Sequence, residues 1–454
     1  MGNYLFIQGH ERDKIIFFSS LSNFFQENGI NCDHLAFNRR ENNLYNKLNI
    51  ESTFYLPKLL LKYDSTLDPN DQHLYDLDEL LGYTFQLNDI NHYKYSKETV
   101  YDNAKRYINF LKDYVKENEV SAFVLWNDTF MFECIAKKFA ANMEIPTLIF
   151  EAGLFRPNTI TFDKMGINYG NSVPRNPDYY RNLIDKEDIK NTKLDNVEKN
   201  FELKLPKLNR IDIKDRLVDY ANQSIMKREL RLETIFESPF EKLRRLIKKN
   251  YLKRTIRTNE NIKLPENYIF VPFQVHDDSQ ILLHSPYLKT MENLVEFVDK
   301  EIRIYNKKYK QNLYILFKEH PADFGRVNYS KLYKKYSDNK YFIFLKSGDT
   351  NTIIDNSKMV MTINSTVGIE ALLKNKPVIT LGNAFYNIQG IVENYNSEKK
   401  LHEIIYNISS KSKKQDEILL SNFLYYLKNE YQLKGNWRKG EYNSNQLIDK
   451  IKSK

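Results

Sequence analysis

The chain has 454 residues, 41% apolar and 28% charged, with 14 Gly and 13 Pro. This composition excludes disordered, collagen-like and linker-dominated chains and leaves room for two or three globular domains. Two cysteines, Cys32 and Cys134, exclude a disulfide scaffold and a Cys-rich zinc site, and a formal net charge of +9 points to an anionic partner.

The opening Met1–Ile7 carries no basic leader and no cleavage site, and no run of roughly 18 apolar residues occurs. The sequence therefore predicts no targeting or membrane-spanning segment and a cytoplasmic location. Tyr4–Ile7 reads as a short buried strand. Phe17, Leu21, Phe24 and Phe25 share a helical face that stops near Gly29, and Cys32 to Phe37 reads as the next strand. Val100, Ala104, Tyr107, Ile108, Leu111, Tyr114 and Val115 follow helical spacing. Ala122–Trp126 and Thr147–Phe150 are strands on either side of another helix. Strands alternating with helices predict a parallel α/β sheet.

From about Asn182 to Glu266 the chain is rich in Lys, Asn, Arg and Glu, and its densest run starts at Lys242-Leu243-Arg244-Arg245. Residues 242–257 fit either a solvated helix face or a basic patch that meets an anionic membrane. No recognition motif accompanies the charge, so nucleic acid is not an expected partner. The α/β rhythm then returns, with strands at Tyr268–Val271, Leu313–Phe317, Tyr341–Leu345, Met359–Ile363 and Pro377–Leu381. The expected organisation is two Rossmann-like α/β domains facing a cleft. Residues 1–185 form the first and 263–400 the second. A charged helical region, 186–262, joins them, and helices at 401–454 pack back on the first domain.

Four constellations could carry chemistry. In Asn364-Ser365-Thr366-Val367-Gly368-Ile369-Glu370, a buried strand ends and a helix opens. Ser365 and Thr366 can cap that helix, and unpaired amides where Ile363 passes into the helix would receive a phosphate. Gly368 would let a ligand or a neighbouring backbone approach, and Glu370 would reach a ribose hydroxyl. Plain helix capping accounts for the same residues. In Lys318-Glu319-His320-Pro321, His320 can donate to phosphate, Lys318 adds charge and Pro321 stiffens a turn at a strand's carboxyl end. In Pro272 to Gln280, the polar Gln274, His276, Asp277, Asp278, Ser279 and Gln280 crowd one loop, which suits substrate contacts or capping. Asp277-Asp278 without a third ligand is weak evidence for a metal, and none is expected. In the fourth, Glu151 stands at a strand end before Gly153 and Arg156, followed by Asp163, Asn168 and Arg175. Glu151, Asp163 and Asp128 are candidate bases or nucleophiles, with Arg156, Asn168 and Arg175 as substrate contacts. A Glu151–Arg156 ion pair holding the loop is the alternative.

Together these segments resemble the capsule-polysaccharide glycosyltransferases of the KpsS/KpsC type. The match runs through Glu151 to Pro157, Gly166 to Asn168, Ser172 to Arg175, Pro272 to Gln280, His320-Pro321, Asn364 to Gly368, Lys376 to Gly382, Tyr386-Asn387-Ile388, and Gln432 with Gly435-Asn436-Trp437. Where that family often has a second carboxylate, this chain has Ala152, and neutral residues stand around Tyr169-Gly170. The resemblance implies a GT-B fold and transfer of 3-deoxy-D-manno-octulosonic acid (Kdo) from CMP-Kdo. It places CMP on the second domain, with Lys318, His320, Pro321, Asn364, Ser365, Thr366 and Glu370. It further implies retention of configuration, no cofactor or metal, and a lipid (lysophosphatidylglycerol) or Kdo-primed acceptor. The location it implies is peripheral, at the cytoplasmic face of the inner membrane, beside other capsule biosynthesis and export proteins. Two other functions fit the same motifs: a CDP-alcohol phosphotransferase of the teichoic-acid polymerase type, and a non-catalytic capsule assembly protein.

Overall fold

A computed structural model of the chain describes residues 2–7, 12–183, 213–255, 264–410 and 416–453. The described residues fall into two units. One comprises 2–172, 213–236 and 427–453, and the other 173–183, 237–255, 264–410 and 416–426.

The first unit is built on β1 (Asn3–Ile7), β2 (Asn31–Ala36), β3 (Thr53–Tyr55), β4 (Val120–Trp126), β5 (Thr147–Ala152) and β6 (Thr159–Asp163). β1 to β5 are parallel, and β6 runs antiparallel to β5. The parallel strands are near-continuous apolar runs because both sheet faces are covered. Successive side chains alternate between two cores. Leu5, Ile7, Phe123, Leu125 and Ile149 face one, with Tyr107, Ile108 and Leu111 of the helix Lys97–Glu117. Phe6, Val124, Trp126, Leu148 and Phe150 face the other, against Phe17, Phe18 and Leu21 of the helix Arg12–Glu27. Each buried aromatic or aliphatic side chain contributes about 1.5–3 kcal/mol.

The second unit holds β7 (Tyr268–Pro272), β8 (Tyr314–Lys318), β9 (Phe342–Leu345), β10 (Met359–Thr362), β11 (Val378–Thr380) and β12 (Glu393–Asn394), all parallel, in the order β12-β11-β10-β7-β8-β9. Ile269, Val271, Ile315, Phe317, Met361 and Ile379 form its core with the helix Met291–Lys308. The chain then returns to the first sheet with β13 (Gln432–Asn436) and β14 (Glu441–Tyr442), giving the order β14-β13-β6-β5-β4-β1-β2-β3. Within each sheet the chain winds outward for three strands and then crosses to the far side of its first strand, which is Rossmann topology.

Unit boundaries differ from the expected ones in three places, each for a packing reason. Residues 173–183 join the second unit, because Tyr180 packs edge-on against Phe423 and its carbonyl accepts from Asn422 Nδ2 (2.7 Å). Residues 213–236 join the first, through an Arg39–Glu229 ion pair (2.6 Å) and a Leu230 N–H to Pro57 carbonyl bond (2.7 Å). Of the closing segment, only Leu427 onward belongs to the first unit. The helix Leu401–Ser410 instead buries Leu401, Ile404 and Ile405 in the second core. Much of the expected 186–262 region lies outside the described residues.

Candidate functional site

In an open parallel sheet, ligands bind beyond the carboxyl ends of the strands, where the winding reverses. In the second unit that point lies between β7 and β10. Gln274 and Asn364 meet there. Gln274 Oε1 accepts the Asn364 N–H (3.0 Å) and its Nε2 donates to Asn364 Oδ1 (3.0 Å). Asn364 Nδ2 donates to the carbonyls of Gln280 (2.7 Å) and His284 (3.3 Å). Both side chains are buried and occupied by protein. They form a closed floor at the switch point, where the sequence suggested direct ligand contacts.

Above this floor the expected row of unpaired amides is corrected. The Ser365 N–H donates to Thr362 Oγ1 (3.3 Å) and the Val367 N–H to Ser365 Oγ (3.2 Å). The Gly368 N–H donates to the Ser365 carbonyl (3.0 Å) and the Ile369 N–H to the Thr366 carbonyl (2.9 Å). The N-cap of the helix Val367–Leu372 is Thr366, whose side chain caps nothing, and Ser365 just before it takes the first helical N–H. Thr366 is exposed, and neither its N–H nor its hydroxyl has a partner among the described residues. Gly368 admits a side chain rather than a ligand: a Cβ there would stand 2.3 Å from the hydroxyl of buried Tyr386, which donates to the Ser365 carbonyl.

β8 supplies the charge. Lys318 is 8% exposed, yet its ammonium makes no hydrogen bond or ion pair with any described residue. Burial pushes its pKa down, while Asp349 and Glu370 act at longer range to hold the proton on. A largely desolvated cation without a close protein partner is held at a cost in stability, which an anion arriving from outside would offset. Glu370 stands near that ammonium rather than serving only as a first-turn acid. His320, two residues on, accepts the Ala322 N–H at Nδ1 (3.1 Å). Its ring proton therefore sits on Nε2, as an available donor. Burial lowers its pKa, with Lys318 acting in the same direction and Asp323 opposing. Pro321 follows at the start of a short 3-10 turn.

The loop after β7 is tied to the loop after β8. His276 donates from Nδ1 to Asp323 Oδ1 (2.8 Å) and from its N–H to Asp323 Oδ2 (3.1 Å), and Asp277 pairs with Arg326. Asp278 caps the helix Ser279–Leu282 by accepting the Gln280 N–H (2.9 Å), and Ser279 is that helix's first residue. Gln280 Nε2 is buried with no partner among the described residues, a second donor left over. Sequence reasoning missed Asp323, which carries no motif of its own and becomes visible only through His276.

In the first unit, Asn127-Asp128 follow the end of β4, and Glu151 is the next-to-last residue of β5. Asn127 Nδ2 donates to Glu151 Oε2 (2.8 Å), and the Ala152 N–H donates to Oε1 (2.9 Å). Asn127 adopts φ 69°, a left-handed conformation that Asn tolerates. Asp128 is paired with Lys137 (2.5 Å). The alternative Glu151–Arg156 ion pair does not form among the described residues; Arg156 is exposed, and its Nε donates to the Gly153 carbonyl (3.1 Å). Asp163 is corrected from candidate base to scaffold. Its buried carboxylate accepts from the N–H groups of Met165 (2.7 Å), Gly166 (3.2 Å) and Ser172 (2.8 Å), from the Ser172 hydroxyl (2.7 Å) and from the Tyr431 hydroxyl (3.1 Å). No lone pair is left to take a proton. Asn168 lies in the short turn that this carboxylate holds. Arg175 belongs to the second unit, where it donates to the Val173 carbonyl (2.9 Å). Gln432 on β13 accepts the Leu154 N–H (2.8 Å), which gives the closing Gln-Gly-Asn-Trp segment a structural task beside Glu151.

The described residues hold no helix long and apolar enough to cross a membrane, and no group of three His, Cys, Asp or Glu side chains with metal-holding geometry. The segments from β4 to β13 that carry these residues coincide with a family model described as capsule polysaccharide biosynthesis protein, which matches residues 121–437. The chain belongs to that family. It is 26% identical over 304 residues to the capsule polysaccharide export protein KpsS of Escherichia coli, a match covering 64% of this chain and 74% of that one. To the capsule polysaccharide modification protein LipB of Neisseria meningitidis it is 25% identical over 303 residues, covering 64% and 70%. Among solved structures, the β-Kdo 2,7 transferase KpsC of Thermosulfurimonas dismutans aligns over 75% of this chain and 89% of its own, at 18% identity and a TM-score of 0.37.

Proposed function

We propose that the chain is a glycosyltransferase of capsular polysaccharide biosynthesis that transfers Kdo from CMP-Kdo to a lipid or Kdo-primed acceptor. One observation carries the reading: buried Lys318, whose ammonium has no close partner among the described residues, at a strand's carboxyl end two residues before His320 with its Nε2–H. A nucleoside monophosphate leaving group presents one phosphate, and this cluster suits one anion.

The phosphodiester of CMP-Kdo is held by Lys318, His320 and Thr366. As the bond between the anomeric carbon and the phosphate oxygen breaks, charge grows on that oxygen and is met by the ammonium and the imidazole N–H. Glu151, oriented by Asn127 and the Ala152 amide, serves as the base or nucleophile. The transfer is read as retaining: the bond from the anomeric carbon to the phosphate oxygen is exchanged for one to the acceptor oxygen, CMP leaves, and the acceptor hydroxyl's proton passes to a base. The reading needs no metal, because there is no pyrophosphate to neutralise.

The test gives the purified chain CMP-Kdo, UDP-sugars and GDP-sugars in turn, with a lysophosphatidylglycerol acceptor, and measures nucleotide release and the lipid product. CMP release from CMP-Kdo alone is expected, falling by about 10²-fold in His320→Ala. Release at the wild-type rate in His320→Ala would overturn the site. A product carrying donor phosphorus would favour the CDP-alcohol phosphotransferase reading. Nucleotide binding without any transfer would favour an assembly role.

A further inference from the structure

The helix Pro239–Thr255 has its polarity inside out. A helix on a soluble protein turns its apolar stripe inward and its charges to water. Here Lys242, Arg245 and Lys249, one stripe at i, i+3 and i+7, are the half-buried positions. Arg245 is bidentate to Glu237 (2.6 and 2.9 Å). The backbone at Lys249 lies against Gly325, where a Cβ would stand 3.0 Å from the Lys249 nitrogen. The opposite side carries Phe240, Leu243, Ile247 and Tyr251, at 76%, 56%, 61% and 67% exposure, with Leu246 (45%) between the two stripes. Phe240, Leu243, Ile247 and Tyr251 follow i, i+3, i+7 and i+11, a single outward stripe. The exposed cations Arg244 and Lys248 flank it.

We propose that this stripe is a lipid-docking face that lies in the interface of an anionic bilayer, with the apolar side chains entering the acyl boundary and Arg244 and Lys248 meeting phosphate headgroups. The charge selects this occupant. From Phe240 to Tyr251 there are five cations against one carboxylate, Glu241, and an anionic lipid surface attracts each nearby cation by about 1 kcal/mol. A second copy would set cation against cation. The chain's own segment 184–212 has seven acidic and seven basic residues and offers no net complement. The face is also well placed: Gly325, on which the helix rests, lies in the loop that begins at His320. A docked bilayer would sit beside the loop proposed to hold the donor phosphate. The inference stands on the surface alone and does not need the transfer reading.

The experiment mixes the full chain with phosphatidylcholine vesicles, with and without phosphatidylglycerol, and measures the bound fraction by flotation. The comparison variants are Phe240→Ser/Ile247→Ser and Arg244→Glu/Lys248→Glu. Thermal melting confirms that each is folded, as expected for changes at exposed positions. Binding is expected to the anionic vesicles, falling by about tenfold or more in the apolar variant and losing its dependence on phosphatidylglycerol in the charge variant. Any of three results overturns the proposal: no binding of the wild type, undiminished binding of the folded apolar variant, or a wild-type dimer by light scattering that the apolar variant dissolves while vesicles bind neither. Vesicle binding is read without donor, so its loss alongside intact CMP release sinks only this inference.

Discussion

The two sheets share one winding order but treat the polar residues at their strand ends in opposite ways. In the first unit Asp163 is a buried carboxylate with five donors, and the loop from β6 to Ser172 is folded around it. In the second, Gln274 and Asn364 satisfy each other and close the floor, while Lys318 Nζ and Gln280 Nε2 have no partner among the described residues. Polar residues at strand ends therefore make a scaffold in one unit and leave donors open in the other, and the ends differ: Asp163 closes the antiparallel β6, opposite Ile149 near the start of β5, whereas Lys318 closes a parallel strand. Saturation is what separates them: a satisfied buried carboxylate contributes stability, and an unsatisfied buried cation gives stability up.

Three measurements can break or sharpen this contrast. The largest effect is expected for Asp163→Ala, which strands five donors. Chemical denaturation should show a loss of about 3–5 kcal/mol. An unchanged midpoint would remove Asp163 from the scaffold. Lys318→Met should do the reverse. It removes a buried charge without a close partner and keeps the apolar stem, so stability should hold or rise, while CMP release falls by about 100-fold, or ~2.7 kcal/mol. A Lys318→Met protein that is both less stable and fully active would assign the lysine to structure.

The smallest effect concerns a buried base that belongs to neither set. His34 on β2 is fully buried, stacks on Phe6 (4.5 Å between ring centres), and has no partner at either ring nitrogen. Burial lowers its pKa to about 3, against about 6.5 in an unfolded chain. Above pH 6.5 both states are neutral and nothing is lost. Below it the unfolded chain takes up a proton that the folded one refuses, so stability falls until about pH 3. Between pH 7 and 4.5 the wild type should lose about 2.5 kcal/mol more than His34→Leu, measured by urea denaturation at each pH. Equal losses would mean that His34 reaches water or a partner in the folded protein.

The parallel strands were legible because a strand covered on both faces must be apolar along its length, as Phe123-Val124-Leu125-Trp126 and Ile269-Phe270-Val271 are. β6 was not. Thr159-Ile160-Thr161-Phe162-Asp163 alternates like a loop edge, and of its two antiparallel partners, β5 and Gln432 to Lys434, the second lies some 270 residues further on. The motifs at Lys318-Glu319-His320-Pro321 and Asn364-Ser365-Thr366 led to the right strand ends, but not to which of their groups are spoken for. Ser365 turned out to take the first helical N–H, and Thr366 stayed open. The basic run after Lys242 was equally visible, and its orientation was not: the cations at i, i+3 and i+7 are the half-buried ones.

Local pattern established the two α/β halves, the strand ends and the residue types gathered there, because hydrophobic period and turn chemistry act over a few neighbouring positions. Folding settled which polar groups were used up and which were left over. Asp163 is completed by Tyr431, His276 by Asp323, and Gln274 by Asn364. Whether a buried donor or charge is satisfied depends on a partner brought from far along the chain, and no stretch of neighbouring residues contains that information.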